Sequence, residues 1–246
     1  MDRMLYVALG GARQTLRAQA VVANNLANVS TPGFKAEMQR IVDLPLQGPG
    51  YPSRVYARDQ GLGADFSPGA RMATGRDLDV MIDGDGFIAV QAPDGTEAYT
   101  RAGNLRVTAN GQLLTGAGYP VLGNGGPIAL PPFEKLEVGA DGTVSIRPVG
   151  QEATTLAVVD RIKLVRPEAA GLSRTAEGLF SPMDGSVAPA DAEVRLVAGA
   201  LEGSNVNAVG ALVDMIEISR RFEMQVKMLK AAEDNDAAAT QLLRLG

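Results

Sequence analysis

The sequence of 246 residues contains no cysteine, no histidine and no tryptophan. Without cysteine and histidine, the chain has no thiol nucleophile, no imidazole base and none of the ligands that most zinc and transition-metal sites use. It also cannot form disulfide bonds. These absences exclude Ser-His-Asp and Cys-His catalysis, and we expect no catalytic residue, no bound metal and no cofactor.

Blocks of one charge and long apolar runs are missing as well. The 23 basic and 28 acidic residues are mixed along the chain and give a net charge of -5. No basic block is interleaved with aromatic residues, so the sequence predicts no nucleic-acid partner. No apolar run reaches the length that a membrane-spanning helix needs. The apolar stretch at 4–9 is followed by Gly10, Gly11 and two arginines, a pattern untypical of a cleaved signal peptide.

The N-terminal segment has a heptad pattern that predicts a helix over residues 3–28. Its seam contains one polar member, Gln19, and two alanines. The seam residues alternate by four and three positions: Leu5, Leu9, Ala12, Leu16, Gln19, Ala23 and Leu26.

The C-terminal segment has the same pattern and predicts a helix of about 40 residues. Ser204 and Asn205 are its N-cap candidates. The seam residues are Ala208, Leu212, Met215, Ser219, Phe222, Val226 and Leu229.

The segment between the helices has a different composition. Residues 36–75 are rich in proline and glycine and predict an extended linker arm with little regular structure. From 76 to 203, Asp-Gly and Asn-Gly pairs separate short β-branched runs, which predicts antiparallel strands joined by tight turns. The predicted fold is therefore mixed α and β. Terminal helices (1–35 with 204–246) pair as a coiled coil, and an arm (36–75) and an all-β outer domain (76–203) lie between them.

Two weak seams at opposite ends of a chain allow two interpretations. They can cover each other within one monomer, or they can pack against neighbouring subunits of a polymer. Polar and small residues stand where a self-sufficient coiled coil carries leucine or isoleucine, and this favours the polymer. Both interpretations remain open at this point.

The stretch NNLANVSTPGFK at 24–35 places three amides at the end of the first helix. Amides can accept and donate hydrogen bonds, so they can satisfy backbone groups at the helix end or fix the register against a neighbouring helix. Pro32 and Gly33 then end the helix. A simple C-cap explains the same residues without any partner.

Three other functions have weak support in the sequence. The aspartates at 77, 79, 83 and 85 could serve an acid hydrolase or a calcium site, but Asp-Gly-Asp-Gly is first a turn sequence and the spacing is not that of an EF-hand. The glycine-rich stretches at 116–118 and 123–126 could hold phosphate, but no helical pattern follows them. We therefore predict a protein that is not an enzyme and has no small-molecule substrate.

Three motifs together identify a resemblance to a known family. NNLANVSTPGFK at 24–35 resembles the N-terminal signature of the bacterial flagellar rod and hook proteins. LEGSNVNAVGALVDMIEISRRFEMQVKML at 201–229 resembles their C-terminal segment. DLDVMIDGDGFIAVQAPDGTEAYTRAGNLRV at 77–107 resembles the β-domain of the same family. The match is looser at 36–75 and 108–200.

The resemblance implies a structural subunit of the flagellar basal-body rod, in its proximal part. The terminal helices would form an inner tube of coiled coils, the arm would lie between subunits, and the β-domain would face outward. The implied partners are other rod subunits, namely earlier proximal rod proteins, the distal rod protein and further copies of this chain. The implied location is the rod that crosses the periplasm, reached by type III export without a cleaved signal peptide. A distal rod protein or another axial subunit is the alternative.

On this interpretation the apolar seam residues bury in the tube, and the asparagines set register and satisfy backbone groups. The predicted subunit-interface residues are Leu5, Leu9, Leu16, Asn24, Asn25, Leu26, Asn28, Phe34, Asn205, Asn207, Leu212, Met215, Phe222, Val226 and Leu229.

Overall fold

The computed structural model describes residues 3–45, 55–150 and 156–244. The chain forms two compact units. The first, here called the helical unit, comprises Met1–Val29, Glu37–Gly63 and Val206–Gly246. The second, here called the β unit, comprises Ser30–Ala36 and Ala64–Asn205. Among the described residues, no helix has the length and apolar character needed to cross a membrane.

The helical unit contains two helices and a two-stranded sheet. Helix α1 spans Arg3–Ala27 and helix α2 spans Ala208–Arg244. The sheet pairs β1 (Glu37–Pro45) with β2 (Val55–Ala64). Helix α1 packs against both α2 and β1.

The start of α2 is set by Asn207. Its side-chain Oδ1 accepts hydrogen bonds from the backbone N–H groups of Val209 and Gly210, both at 3.1 Å. This is the N-cap arrangement, which satisfies donors that have no partner within the helix. The prediction of Ser204 or Asn205 as the N-cap is wrong, because the helix begins later and the Asn205 amide binds backbone groups elsewhere.

The two helices are antiparallel. Phe34 and Asn205, which follow α1 and precede α2 in the chain, are joined by a backbone hydrogen bond of 3.4 Å. Gly11 and Gln225 lie about equally far along the helices from that point. They also face each other, since a Cβ added at Gly11 would lie 3.1 Å from Nε2 of Gln225.

Each helix has a stripe of less exposed residues at three- and four-residue spacing. Because Gly11 and Gln225 belong to these stripes and face each other, the stripes form the contact between the helices. On α1 the stripe contains Ala8, Gly11, Thr15, Ala18, Val22 and Asn25, and Ala12 and Val21 beside it are buried as well. On α2 it is Ala208, Ala211, Met215, Ile218, Phe222, Gln225, Leu229 and Ala232.

The β unit consists of short strands, as the frequent turn residues predict. The described strands are β3 (Arg71–Ala73), β4 (Val80–Asp83), β5 (Phe87–Gln91), β6 (Glu97–Thr100), β7 (Leu105–Val107), β8 (Leu113–Thr115), β9 (Phe133–Val138), β10 (Thr143–Pro148), β11 (Ala157–Arg161), β12 (Leu164–Val165), β13 (Leu172–Arg174), β14 (Phe180–Pro182), β15 (Arg195–Ala198) and β16 (Ala200–Glu202). A short 3-10 turn spans Ala169–Gly171.

The largest sheet of the β unit has five strands in the order β12-β5-β6-β14-β13. A three-stranded sheet has the order β11-β10-β9, and β7 pairs with β8. Two further pairs join the beginning of the unit to its end, β3 with β16 and β4 with β15, both antiparallel. The unit is therefore closed by strands that are more than a hundred residues apart in the chain.

Two apolar clusters fill the β unit. The larger contains Val80, Ile88, Leu105 and Val144, each with almost no exposed surface. The smaller is aromatic, and its rings of Phe66, Phe87 and Phe180 lie 5.1–5.7 Å apart. Such tilted and edge-on pairs add to the stabilisation that the buried area supplies.

The predicted tight turns are confirmed. Gly84, Gly95, Gly111 and Gly142, which each follow an Asp or an Asn at a predicted turn, have positive φ angles between 80° and 87°. Residues 36–75, which we expected to have little regular structure, contain β1, β2 and β3 in the described part. The proline- and glycine-rich stretch 46–54 of the expected arm lies outside the described residues.

Candidate assembly surfaces and the buried polar cluster

Helix α1 directs mostly small residues toward α2 and two of its leucines away from it. The contact stripe is made mainly of alanine, glycine and threonine with one valine, whereas Leu9 and Leu16 are 50% and 49% exposed. Leucine side chains gain about 1.5–3 kcal/mol when fully buried, so this arrangement leaves a large part of that free energy unused in the single chain. The side chain of Leu5 lies outside the described residues.

On α2 the predicted seam divides into two groups. Met215, Phe222 and Leu229 lie on the stripe that faces α1, and Leu26 of α1 is partly buried. Leu212 and Val226 are 49% and 46% exposed. The contact with α1 within the chain uses Ala211, Ile218 and Gln225 in their place.

Sequence reasoning missed a second apolar face at the start of α2. Val209, Leu212, Val213 and Ile216 are all exposed large aliphatic residues, and we call them the α2 patch. Their spacing of i, i+3, i+4 and i+7 places them on one side of the helix. That spacing was visible in the sequence, but the prediction followed the alternative seam that shares Leu212.

The asparagines of the helical unit bind backbone groups. Asn25 donates from Nδ2 to the carbonyl of Glu37 at 2.9 Å and accepts at Oδ1 from the Glu37 N–H at 2.7 Å. This two-way pairing imitates a strand partner and fixes β1 beside α1. Asn28 donates from Nδ2 to the carbonyl of Asn24 at 2.9 Å, which satisfies an acceptor at the end of the helix.

A cluster of buried charges forms around Glu202 in the β unit. Lys35, Arg101 and Glu202 are 1%, 5% and 3% exposed. Lys35 Nζ donates to Glu202 Oε1 at 2.6 Å and to the carbonyl of Ser67 at 2.8 Å. Arg101 donates to Glu202 Oε2 at 3.1 Å, and the N–H of Gly69 donates to Oε1 at 2.9 Å. One carboxylate thus links four separate chain segments.

The pKa values of this cluster follow from burial and pairing. Burial lowers the pKa of Lys35, and the hydrogen bond and charge of Glu202 only partly oppose that effect. Burial alone would raise the pKa of Glu202, but the hydrogen bonds from Lys35 and Gly69 and the charge of Arg101 together hold it below the ordinary value. Glu202 therefore remains a carboxylate at neutral pH and is the central acceptor of the cluster.

Asn205 and Phe34 belong to the same region of the β unit. Asn205 Oδ1 accepts from the N–H of Ala36 at 2.7 Å, and its Nδ2 donates to the carbonyl of Asp65 at 2.8 Å. Phe34 is buried, with the guanidinium of Arg174 at 4.2 Å from its ring centre. Residues 34–36, 65 and 205 lie where the chain passes from one unit to the other, so these contacts hold the crossing points together within the β unit.

The aspartates considered for catalysis or calcium have structural partners or turn positions. Asp79 is buried and accepts from Arg76 at 2.6 Å. Asp83 ends β4, and Asp85 lies between Gly84 and Gly86 in the following turn. In the described ranges, no group of three or more acidic residues is arranged to hold a metal ion.

Comparison with known proteins identifies the family from both ends and the middle of the chain. The family described as flagella basal body rod protein matches residues 5–35. The flagellar hook protein FlgE/F/G D1 domain matches residues 81–146, and the flagellar basal body rod FlgEFG protein C-terminal domain matches residues 197–242.

Full-length relatives agree with these matches. The chain is 45% identical to a protein of Escherichia coli and 44% identical to one of Salmonella typhimurium, over all of both chains in each case. It is 34% identical to a protein of Caulobacter vibrioides over 99% of this chain and 98% of the relative.

The chain belongs to the flagellar basal-body rod protein family. The three full-length relatives just described all carry the name flagellar basal-body rod protein FlgF. The resemblance that the three sequence motifs predicted is confirmed. The chain is accordingly a structural subunit of the basal-body rod and not an enzyme.

Proposed function

We propose that this chain forms part of the proximal rod and polymerises through its terminal helices. In this proposal α1 and α2 pair as a coiled coil, and their outer faces pack against neighbouring subunits to build the shaft between motor and hook. The relatives named FlgF support the proximal position.

The observation that carries this proposal is the distribution of apolar side chains in the helical unit. Leu9, Leu16, Leu212 and Val226, four of the predicted interface residues, are about half exposed in the single chain. Half-exposed aliphatic residues at helical spacing on both helices are typical of a surface that another helix covers. Phe34 and Asn205 have their contacts inside the β unit, so we assign them to holding the chain crossings and not to a subunit contact.

The remaining residues have supporting roles in this proposal. Asn24, Asn25, Asn28 and Asn207 fix the ends of the helices, and β1 is held against α1 by Asn25. Residues 36–75 act as the arm between subunits, and the β unit forms the outer part of the shaft. Partners are earlier proximal rod subunits, the distal rod protein and other copies of this chain. The rod crosses the periplasm, and the chain reaches it by type III export without a cleaved signal peptide.

A matched set of substitutions tests the assembly surface. Leu16→Asp and Leu212→Asp each place a charge on an exposed aliphatic position of the helical unit, and Met183→Asp does the same at a residue of the β unit that is 66% exposed. Burying an unpaired carboxylate is costly, so we expect the first two variants to be lost from purified basal bodies. The Met183 variant should be retained. All three should keep the circular dichroism of the unsubstituted chain.

Motile cells with normal amounts of the Leu16→Asp and Leu212→Asp chains in their basal bodies would contradict the proposal. The proximal position is tested by electron cryomicroscopy of basal bodies from a strain that lacks only this chain. A rod that stops short, without distal rod or hook, supports it. A complete rod and hook would assign the chain to an accessory role.

A further inference from the structure

Two Asn-Gly pairs lie in loops of the β unit, at 110–111 and at 124–125. Asparagine is one of the chemically labile residues of proteins. When glycine follows it, the backbone nitrogen of the glycine can reach the side-chain carbonyl carbon of the asparagine, since no Cβ stands in the way. Asn110 and Asn124 are both exposed, so access to solvent does not distinguish the two pairs. Their backbone hydrogen bonds do.

The first pair lies in a turn that engages the glycine amide. The N–H of Gly111 donates to the carbonyl of Thr108 at 2.9 Å, and the carbonyl of Gly111 accepts from the N–H of Leu130 at 2.7 Å. A Cβ added at Gly111 would clash with the carbonyl oxygen of Leu130, so the surroundings leave this backbone little room to move. A nitrogen whose proton is bound by a carbonyl, in a peptide that is fixed on both sides, is a poor nucleophile.

The second pair lies in a loop with a different pattern of hydrogen bonds. The ends of this loop are joined by a bond of 2.7 Å from the N–H of Gly123 to the carbonyl of Gly126. The N–H of Asn124 donates to Oδ1 of Asp160 at 3.3 Å. The N–H of Gly125 has no acceptor among the residues that the structure describes. A Cβ added at Gly125 would meet no atom within 4 Å, so this peptide has room to turn toward the asparagine side chain.

We propose that Asn124 is a site of spontaneous deamidation and isoaspartate formation, with the backbone nitrogen of Gly125 as the nucleophile. This nitrogen gives up its proton and forms a bond to Cγ of Asn124. The Cγ–Nδ2 bond then breaks, and the side-chain nitrogen takes up a proton and leaves as ammonia. Water opens the resulting succinimide ring at either carbonyl. Opening at Cγ gives aspartate, whereas opening at the main-chain carbonyl carbon gives isoaspartate.

The modification changes both the charge and the backbone of the loop. Asn124 lines a cavity together with Arg161, Lys163 and Asp191, so the reaction adds a negative charge to the lining of that cavity. Isoaspartate also adds a methylene to the main chain of a loop whose ends are joined by a hydrogen bond. Stored protein should therefore become a mixture of chains that differ at this one position. This inference goes beyond the proposed function and does not depend on it, because it concerns the β unit of a single chain.

Peptide mapping tests the proposal with an internal control. The purified full chain is kept folded in mildly alkaline buffer, and samples taken over time are digested with trypsin, with an unincubated sample to correct for reaction during digestion. Asn110 and Asn124 lie in the same tryptic peptide, 107–135, so mass spectrometry compares them within one fragment. We expect deamidation to be several times faster at Asn124 than at Asn110. In guanidinium chloride, where the turn at Gly111 is lost, the two rates should become similar.

A substitution at the glycine identifies the nucleophile. Gly125 does not have the positive φ angle that favours glycine, and a Cβ there meets no neighbouring atom, so Gly125→Ala should leave the circular dichroism unchanged. The added methyl group hinders the attack of the backbone nitrogen. We expect deamidation at Asn124 to become several times slower in this variant, while the rate at Asn110 stays the same.

The outcomes are distinct. Faster reaction at Asn124 than at Asn110 in the folded chain, lost in Gly125→Ala, supports the proposal. Equal or faster reaction at Asn110, no reaction at Asn124 in a folded chain that reacts when denatured, or an unchanged rate in Gly125→Ala overturns it. Each of these results leaves the proposed role in the rod as it stands.

Discussion

The β unit and the helical unit differ in which side chains they bury. The β unit buries charged side chains, whereas the helical unit leaves several large aliphatic side chains exposed. In the β unit, Lys35, Arg101 and Glu202 are buried, and the carboxylate has a partner at each oxygen. In the helical unit, Leu9, Leu16 and the α2 patch remain half exposed or more. The carboxylate of Glu202 has its partners within one chain, whereas exposed aliphatic faces gain stability when another molecule covers them. Under the proposed function, the helical unit is the part that assembles with other subunits.

The largest expected effect comes from removing the carboxylate at the centre of the β unit. Glu202→Gln leaves two buried cations without their counter-charge, and breaking a buried ion pair in this way costs about 3–5 kcal/mol. We expect the free energy of unfolding of the β unit, measured by urea denaturation with circular dichroism, to fall by that amount. Glu193→Gln, at a carboxylate that is 80% exposed, is the control and should cause little change. An equal loss of unfolding free energy in both variants would show that the buried cluster contributes no more to stability than an exposed carboxylate.

The pH dependence of stability gives a smaller but more specific effect. The pKa of Glu202 is lowered in the folded chain from the ordinary value of 4.5, so its stabilising contribution is complete above that value and is lost as the pH falls through the lowered pKa. The difference in unfolding free energy between the natural chain and Glu202→Gln should therefore be constant near neutral pH and shrink in acid. A protonated Glu202 resembles glutamine, which is the reason for the convergence. A difference that grows as the pH falls would contradict the assignment.

The smallest effect concerns the contact between α1 and α2. An alanine at Gly10 would meet no atom within 4 Å, whereas an alanine at Gly11 would lie 3.1 Å from Gln225. Gly10→Ala should stabilise the helical unit by about 0.8–1 kcal/mol through helix propensity alone. Gly11→Ala should gain less or lose stability, and the double variant Gly11→Ala with Gln225→Ala should recover the gain. Thermal unfolding of the full chains measures this, and equal effects at Gly10 and Gly11 would show that the glycine is not needed for the helix contact.

Local signals predicted more of the β unit than of the helix contact. The Asp-Gly and Asn-Gly pairs predicted turns at Gly84, Gly95 and Gly142, because a positive φ angle strongly favours glycine. The sequence did not predict which residues of α1 face α2 within the chain. Residues such as Ala8 and Gly11 are small and only weakly hydrophobic, so a search for apolar periodicity does not select them. Leu9, Leu16 and Leu212, which a seam prediction selects first, are about half exposed. The residues that face the other helix are mostly small on α1, whereas α2 contributes large ones such as Met215, Phe222 and Leu229.

The buried charges could not be predicted from the sequence. Lys35 and Glu202 are 167 positions apart, and a charged residue gives no local sign that a distant partner will bury it. The motif NNLANVSTPGFK at 24–35 predicted the end of α1. It did not predict that its last residue, Lys35, binds the carboxylate of Glu202. Asn207 was among the predicted interface residues, and its role as N-cap depended on the exact start of α2.

The long sequence separation within the Glu202 cluster also orders events on the ribosome. Strands β15 and β16, together with Glu202 itself, leave the exit tunnel only after four fifths of the chain have been synthesised. Until then β3 and β4 lack their partner strands and Lys35 lacks its counter-charge. Non-local pairing of this kind is slow to form and cannot begin early. The nascent chain thus stays open through most of its translation, and completion of the β unit coincides with the arrival of α2.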